Sequence, residues 1–396
     1  MKTKLSALTI GLALAFGAGT AIAAGTATID QPGTGNTSNV EQQNSALGNA
    51  SATINQGGNY NAGTISQNGN VSYATATIDE NQGANYNRGT ITQTGNGNGA
   101  QGHIQDWGSR NTSTITQVNV GAQAIDPGVS GTAYQNGNSN TGSIYQHDGK
   151  NLVATINAGP GTAYGGHGSN NNASISQTGV QQTAAIEQNG STHGSAVIDQ
   201  SRGYSDLMGN DVASITDTGS YDSSRITQVS GGGVHVSANK GTVIQSGQQN
   251  TADVSQVGYS DTGAVNQSGY RNYANINQLS GTYQHAAATQ SGSFDTALIS
   301  QANSGGDHAT TNQSGNFDLA IINQANLYGN PQTATVTQTG SFDLASVNQS
   351  GVSQIATVAQ AGNFNAASVT QASTTANYTA NVTQGGFGNV ATVYQH

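Results

Sequence analysis

The chain contains no cysteine, so neither disulfides nor thiolate metal sites exist in it. Charge is nearly as scarce, at 7% of residues, and only nine lysines and arginines stand against nineteen acids. The basic residues are scattered singly and the formal net charge is −10, which argues against nucleic acid as a partner. No apolar run beyond the extreme N-terminus is long enough to cross a bilayer as a helix, so no membrane insertion is expected. Helical 3.6-residue periodicity is also missing outside that end. Only four prolines occur, Pro32, Pro127, Pro160 and Pro331. Low charge and 55 glycines would by composition alone suggest disorder.

A short period overrides that suggestion. The twelve-residue phrase Gln-x-Gly-x-x-Asn-x-Ala-x-(Ile/Val)-x-Gln recurs along the chain, each copy ending on the glutamine that opens the next, as at Gln256, Gln267 and Gln278. A fixed period over most of a sequence is the signature of a stacked repeat. Within a copy the marked residues lie two apart, as in Asn272, Ala274, Ile276 and Gln278. A strand sends alternate side chains to opposite faces, so these four share one face while Thr, Ser, Asn and Tyr occupy the other. The Gln-x-Gly-x-x stretch is read as a turn in which glycine accepts the backbone angles of a reversal. The prolines fall between arms, as strand interiors demand.

One arm cannot bury its Ala and Ile alone, so two arms facing each other are expected to form one rung of about 22–23 residues. The phenylalanines report that length independently. Phe294, Phe317, Phe342, Phe364 and Phe387 recur once per rung, which predicts an aromatic column along one corner. The expected fold is therefore all-β: a β-solenoid of stacked strand–turn–strand rungs, with two facing parallel sheets and a cross-β-like stack. With one Ile or Val per arm the core is thin. Stability must lean on backbone ladders and on side-chain amides repeated in register.

The predicted ladder comprises Gln31, Gln42, Gln56, Gln67, Gln93, Gln177, Gln188, Gln256, Gln267, Gln278, Gln290, Gln301, Gln313, Gln324, Gln338, Gln349, Gln360, Gln371, Gln384 and Gln395, with Asn272, Asn365 and Asn389 at the turn entries. Residues 1–23 read as a secretory signal peptide: Lys2 and Lys4, an apolar run from Leu5 to Phe16, and Ala21-Ile22-Ala23 for cleavage. The repeat solenoid then occupies 24–396. Loop-bearing stretches are expected at about 118–171 and 201–242, and the most regular arms at 245–395. Neither end of the repeats shows a capping element, which predicts head-to-tail joining into open filaments.

No enzyme is implied. His103, His147, His167, His193, His235, His285, His308 and His396 share no spacing and sit in no nucleophile or metal motif. Gly165-Gly166-His167-Gly168 lacks the Asp of a calcium-binding β-roll, so neither metal nor cofactor is expected. Trp107 is read as packing on a turn, with sugar stacking as the other option. Asp217 stands where a ladder Gln is expected, with Asp206, Asp211 and Asp222 nearby, while Asp295, Asp318 and Asp343 take the turn-entry Asn position.

The repeated Gln-x-Gly-x-x-Asn-x-Ala-x-(Ile/Val)-x-Gln arms resemble the curlin repeat of bacterial curli subunits, over nearly all of 26–395. The resemblance implies a structural subunit, exported unfolded and polymerised by nucleation into extracellular functional amyloid at the cell surface, with roles in biofilm matrix and adhesion. Its partners would be itself, other curlin subunits and a dedicated outer-membrane secretion apparatus. This chain is much longer than a typical subunit, and the glycine-rich targeting segment before the first repeat is not recognisable. The alternative is a non-polymerising solenoid adhesin or ice-binding-type surface, suggested by the outward pairs Thr90/Thr92, Thr114/Thr116 and Thr335/Thr337.

Overall fold

The computed structural model describes residues 25–43, 50–69, 73–81, 83–95, 99–119, 128–159, 168–202, 210–230, 238–303, 305–325, 330–373, 375 and 377–396. The segment 1–23, read above as a signal peptide, Asp206, and parts of both irregular stretches lie outside them. The described residues are all strand, bridge and turn, with no helix. The chain divides into two compact units, Met1–Gln181 and Gln182–His396, and the division falls inside the strand Asn172–Glu187.

In the first unit, alternate strands build two parallel ladders. Thr26–Asp30, Ser51–Gln56, Thr75–Glu80, Gln101–Asp106 and Ser130–Gln135 pair in one. Thr37–Gln43, Ala62–Asn68, Arg88–Thr94, Thr112–Val118 and the start of Thr141–Ala158 pair in the other. The second unit repeats the plan. Asp211–Asp217, Lys240–Gln245, Thr262–Gln267, His285–Gln290, His308–Gln313 and Thr333–Gln338 stack in one sheet. Ser223–Ser230, Thr251–Tyr259, Tyr273–Thr282, Thr296–Ala302, Leu319–Ala325 and Leu344–Gly351 stack in its partner. The stack closes on Thr379–Phe387 and Val390–Gln395. The fold is thus the β-solenoid that the repeat predicts.

Register explains why. Inward positions are columns of one residue type, with Ile54 opposite Ile78 and Ile78 opposite Ile104, all fully buried. In the second unit the column runs through Ile299, Ile322, Val347 and Val369, also buried. A one-residue slip would throw each Ile, Ala and Gln to the solvent face, so the pattern fixes the register.

The rung length is less uniform than expected. Successive ladder glutamines are 22 or 23 residues apart from Gln245 to Gln290, and 25 or 22 around Gln338. In the first unit the interval grows to 29 and 31. The extra residues leave the register of the strands intact, because they fall in the connections.

The turn glycines serve two needs. Gly69, Gly95, Gly190 and Gly362 take positive φ, from 76° to 118°, as the turn reading expects. At Gly315 the need is close approach instead, since a Cβ there would lie 1.5 Å from the carbonyl oxygen of Gly340. A further positive φ falls two residues after the glycine, on Phe294, Phe317, Phe342 and Phe364 at 59–60°. Tyr60, Tyr86, Tyr221 and Arg271 hold the same conformation at 57–58°. Left-handed angles are uncommon for bulky residues. Here each such amide donates to the previous rung, as Phe317 N–H does to Ser293 O at 2.9 Å.

Candidate functional site: the amide ladders and aromatic corner

The glutamines form amide ladders, two of them in the second unit. In the second unit Gln245, Gln267, Gln290, Gln313, Gln338, Gln360 and Gln384 are linked Nε2 to Oε1 at 2.7–3.0 Å. Gln200, Gln228, Gln256, Gln278, Gln301, Gln324, Gln349, Gln371 and Gln395 form the second, also at 2.7–3.0 Å. The first unit carries Gln42, Gln67, Gln93, Gln117, Gln146 and Gln177 in the same way, and Gln31 donates to Gln56. The other Nε2 hydrogen crosses the core. Gln349 donates to the Thr333 carbonyl of the facing arm at 3.1 Å, and Gln360 to Leu344 at 2.9 Å. An amide such as Gln349 or Gln360 therefore ties rung to rung and sheet to sheet, satisfying both donors.

Sequence reading took Gln117 and Gln245 as arm ends without naming them in the ladder and missed Gln135, Gln146, Gln200 and Gln228, though all six are buried. Their signal was the inward Ile, Val or Ala two residues before each Gln, weakened where Gly131 or Ser224 replaces the inward Ala. Glu80 and Asp106 were missed as well. They occupy consecutive Gln positions in the first unit, and Gln56 donates to Glu80 at 2.7 Å. Burial pushes Glu80 up to about 7 and Asp106 well above the usual carboxylate range. Gln188 is buried, but the ladder position after it is held by Asp217, which interrupts the amide sequence. Asp217 accepts from Ser191 Oγ at 3.0 Å and from Gly219 N–H at 3.0 Å. Ser224 Oγ donates to Gln245 Oε1, the ladder acceptor that Asp217, lacking an amide, leaves without its usual donor.

The asparagines do not stack amide on amide as the sequence suggested. Asn272 Oδ1 accepts the Asp295 backbone N–H at 3.0 Å, and its Nδ2 donates to the Gly292 carbonyl at 3.1 Å. Asn365 likewise accepts from Asn389 N–H at 3.1 Å and donates to Gly386. Only Asn389 adds an amide-to-amide bond, to Asn365 Oδ1 at 3.0 Å. The column is a corner clamp holding backbone to backbone.

Phe294, Phe317, Phe342 and Phe364 stack face to face, with ring centroids 4.7–4.9 Å apart and planes within 5°. Phe387 departs from this column. It pairs in register with Asn363, so Gly388 takes the left-handed corner at φ 69°, and its ring is tilted 59° from Phe364. In the first unit the corresponding turns carry Tyr60 stacked on Tyr86, and in the second His193 stacks on Tyr221. Trp107 sits on a turn as expected, tilted against Tyr134 at 6.2 Å.

Outward faces are polar and mixed. Thr64/Ser66, Thr90/Thr92 and Thr114/Thr116 align over three rungs before Tyr145 replaces the second hydroxyl. Thr335 and Thr337 are flanked by Asn312 and Ala359, so that pair stands alone. His103 lies 3.3 Å from Asp79 across adjacent outward strands, and this contact holds the Asp79 carboxyl below its ordinary value. Among the described residues no group of three or more His, Cys, Asp or Glu is arranged to hold a metal.

No protein-family model matches the chain, and no curated protein matches it.

Proposed function

We propose that the chain is a structural subunit that self-assembles, head to tail, into extracellular curli-like amyloid fibres on the cell surface. The observation that carries this reading is the polarity of the ladders. Within the ladders each Gln-to-Gln bond runs one way, from Nε2 of one rung to Oε1 of the next rung toward the C-terminus, as from Gln338 to Gln360. Among the described residues, no ladder donor reaches Oε1 of Gln31 or Gln42, and Gln384 and Gln395 donate only to the backbone of the facing arm. One end therefore presents acceptors and the other donors.

The sequences at the two ends fit. Thr379–Phe387 begins Thr-Ala-Asn-Val-Thr-Gln and Thr26–Asp30 with Gln31 reads Thr-Ala-Thr-Ile-Asp-Gln. Gln384 precedes Asn389 by the same turn length that separates Gln31 from Asn36. A second copy with Thr26–Asp30 over Thr379–Phe387 and Thr37–Gln43 over Val390–Gln395 would continue the Ile/Val, Gln and Asn columns without a register shift, with Ala27 over Ala380 and Ser38 over Ala391. Among the described residues, inward Ala391, Val393 and Gln395 are only half-buried, whereas Ala367, Val369 and Gln371 one rung earlier are buried, as a further rung would make them. An aligned, heterologous contact of this kind does not close on itself, and filaments result. The curlin-like repeat adds cell-surface export and a biofilm role to the proposal, with other curlin subunits and a secretion apparatus as partners.

The mature chain, purified alone, should form detergent-resistant fibres from micromolar solution, with meridional diffraction near 4.7–4.8 Å and a sheet spacing near 10 Å. A soluble monomer under those conditions would favour the adhesin or ice-binding reading, to which the three aligned Thr/Ser rungs otherwise lend only a short patch.

A further inference from the structure

The corner clamp contains a natural comparison between amide and acid. Its column in the second unit runs Asp222, Asn250, Asn272, Asp295, Asp318, Asp343, Asn365 and Asn389. Every member before Asn389 accepts the next member's backbone N–H, with Asp295 accepting from Asp318 at 3.1 Å, Asp318 from Asp343 at 3.0 Å and Asp343 from Asn365 at 2.8 Å. The second side-chain atom differs. Asn250, Asn272 and Asn365 donate Nδ2–H to the carbonyls of Gly269, Gly292 and Gly386 at 3.3, 3.1 and 3.4 Å. In Asp295, Asp318 and Asp343 the corresponding Oδ2 is buried with no hydrogen-bond partner. It occupies the place of the amide nitrogen: a Cβ on Gly292 would lie 2.4 Å from Asp295 Oδ2, as one on Gly247 would lie 2.6 Å from Asn250 Nδ2. An oxygen facing a carbonyl oxygen is repulsive unless one of them carries hydrogen.

We propose that the Asp295–Asp318–Asp343 column is a proton-operated latch on folding: these rungs close when each carboxyl takes up a proton and its Oδ2–H donates to a glycine carbonyl, as the Asn amides of neighbouring rungs do. One proton is bound per carboxyl, and the acceptors are the carbonyls of Gly315, Gly340 and Gly362. Each already accepts one backbone N–H, from Ser293, Asn316 and Ser341. A second lone pair remains, as Gly269 shows by accepting from both Gln248 and Asn250.

What faces the column leaves the carboxyls uncompensated. The ladder amides of Gln290, Gln313 and Gln338 are neutral, the outer wall is Phe294, Phe317 and Phe342, and the backbone of Gly292 and Gly315 closes the turn. Arg271, the cation beside this corner, lies over Tyr270 and Phe294 and bonds Gln249 instead. Among the described residues no Lys, Arg or His forms an ion pair with the three. Burial raises Asp295 to about 6, Asp318 to about 7 and Asp343 above its ordinary value, while backbone N–H groups, and for Asp343 also the Asn365 side chain, lower them less. Adjacent carboxylates in one column also repel, so the three titrate as a coupled set. Because the folded values are raised, the stability they allow is complete below about pH 4, the unfolded carboxyl range, and is lost as pH climbs through 6 to 7.

The latch concerns folding within one chain, so its test separates from assembly. Full-length mature chain, unfolded in denaturant, is diluted at pH 5.0 and at pH 7.5. Formation of β-structure is followed by far-UV circular dichroism, with sedimentation in parallel. The half-time should be at least threefold longer at pH 7.5. Asp295→Asn, Asp318→Asn and Asp343→Asn combined should at least halve the logarithm of that ratio, chiefly by speeding folding at pH 7.5. Asn272→Asp, which extends the acid run to four, should enlarge it. The exposed histidines and the other buried acids are common to all three chains and cancel in the comparison. A wild-type ratio near one, an unchanged ratio in the triple variant, or no enlargement with Asn272→Asp overturns the proposal. A variant that folds as expected yet does not sediment counts against the fibre reading and leaves the latch standing.

Discussion

Gly315→Ala should destabilise the solenoid by about 3 kcal/mol or more, although it adds one methyl group. The new Cβ would lie 1.5 Å from Gly340 O and 2.4 Å from Asp318 Oδ2, and the first of these contacts is rigid backbone. To relieve it, one rung would have to move away from the next, breaking the strand pairing around Leu319 and the ladder bond from Gln313 to Gln338. Overpacking against backbone cannot be absorbed by a rotamer change, which is why the expected cost is at the high end. Gly385→Ala is the matched control, since a Cβ there meets nothing within 4 Å and its φ is not positive. That change should stay within about 0.5 kcal/mol. Denaturant midpoints of the two variants, read by circular dichroism, decide the matter. Equal midpoints would refute the close-approach account of the Gln-x-Gly turn.

Gln349→Ala should cost roughly 2–4 kcal/mol, because it strands three buried groups at once. Gln349 accepts from Gln324 at 2.9 Å, donates to Gln371 at 2.9 Å, and crosses to the Thr333 carbonyl at 3.1 Å. Water has no route to replace these partners beside the fully buried Val347 and Ala345. Adding Gln360→Ala and Gln371→Ala should deepen the loss less than additively, since Gln349 and Gln371 share a bond. Alanine at outward Thr337, Ser346 and Ser368, all of them half-buried, should change stability by no more than about 0.5 kcal/mol. If the outward set proves as costly as the inward set, the ladders are not what holds the stack.

The fold was legible because its signal is periodic in two independent ways. Alternation assigned the inward face and the shared Gln set the rung boundary, so Asn272, Ala274, Ile276 and Gln278 were placed correctly without any contact information. The limits have physical causes. Spacing alone cannot distinguish a glycine needed for its angles from one needed because another backbone passes above it, so Gly315 was assigned the wrong duty and Phe317 the wrong ease. Ladders were missed at Gln135 and Gln146 because long connections disguised the interval, although strand register ignores connection length. The second hydrogen of each Gln, reaching the facing arm, depends on the distance between sheets, which no local pattern encodes. Asp295, Asp318 and Asp343 read as tolerable turn formers one at a time. Their adjacency in space emerges only when rungs are stacked.

The most direct test of head-to-tail assembly uses the absence of native cysteine. In the proposed junction Thr392 of one copy lies opposite Asn39 of the next, both on outward positions. Parallel neighbours are about 4.8 Å apart, within the span a disulfide bridges. A chain carrying Thr392→Cys and Asn39→Cys, assembled in reducing solution and then oxidised, should cross-link into long covalent ladders on a denaturing gel. Either single variant should yield at most dimers. Moving the second cysteine to inward Val40 should abolish the ladder. Failure of the Thr392→Cys/Asn39→Cys chain to cross-link in fibres, or equal cross-linking with the cysteine at Val40, would contradict an in-register head-to-tail stack.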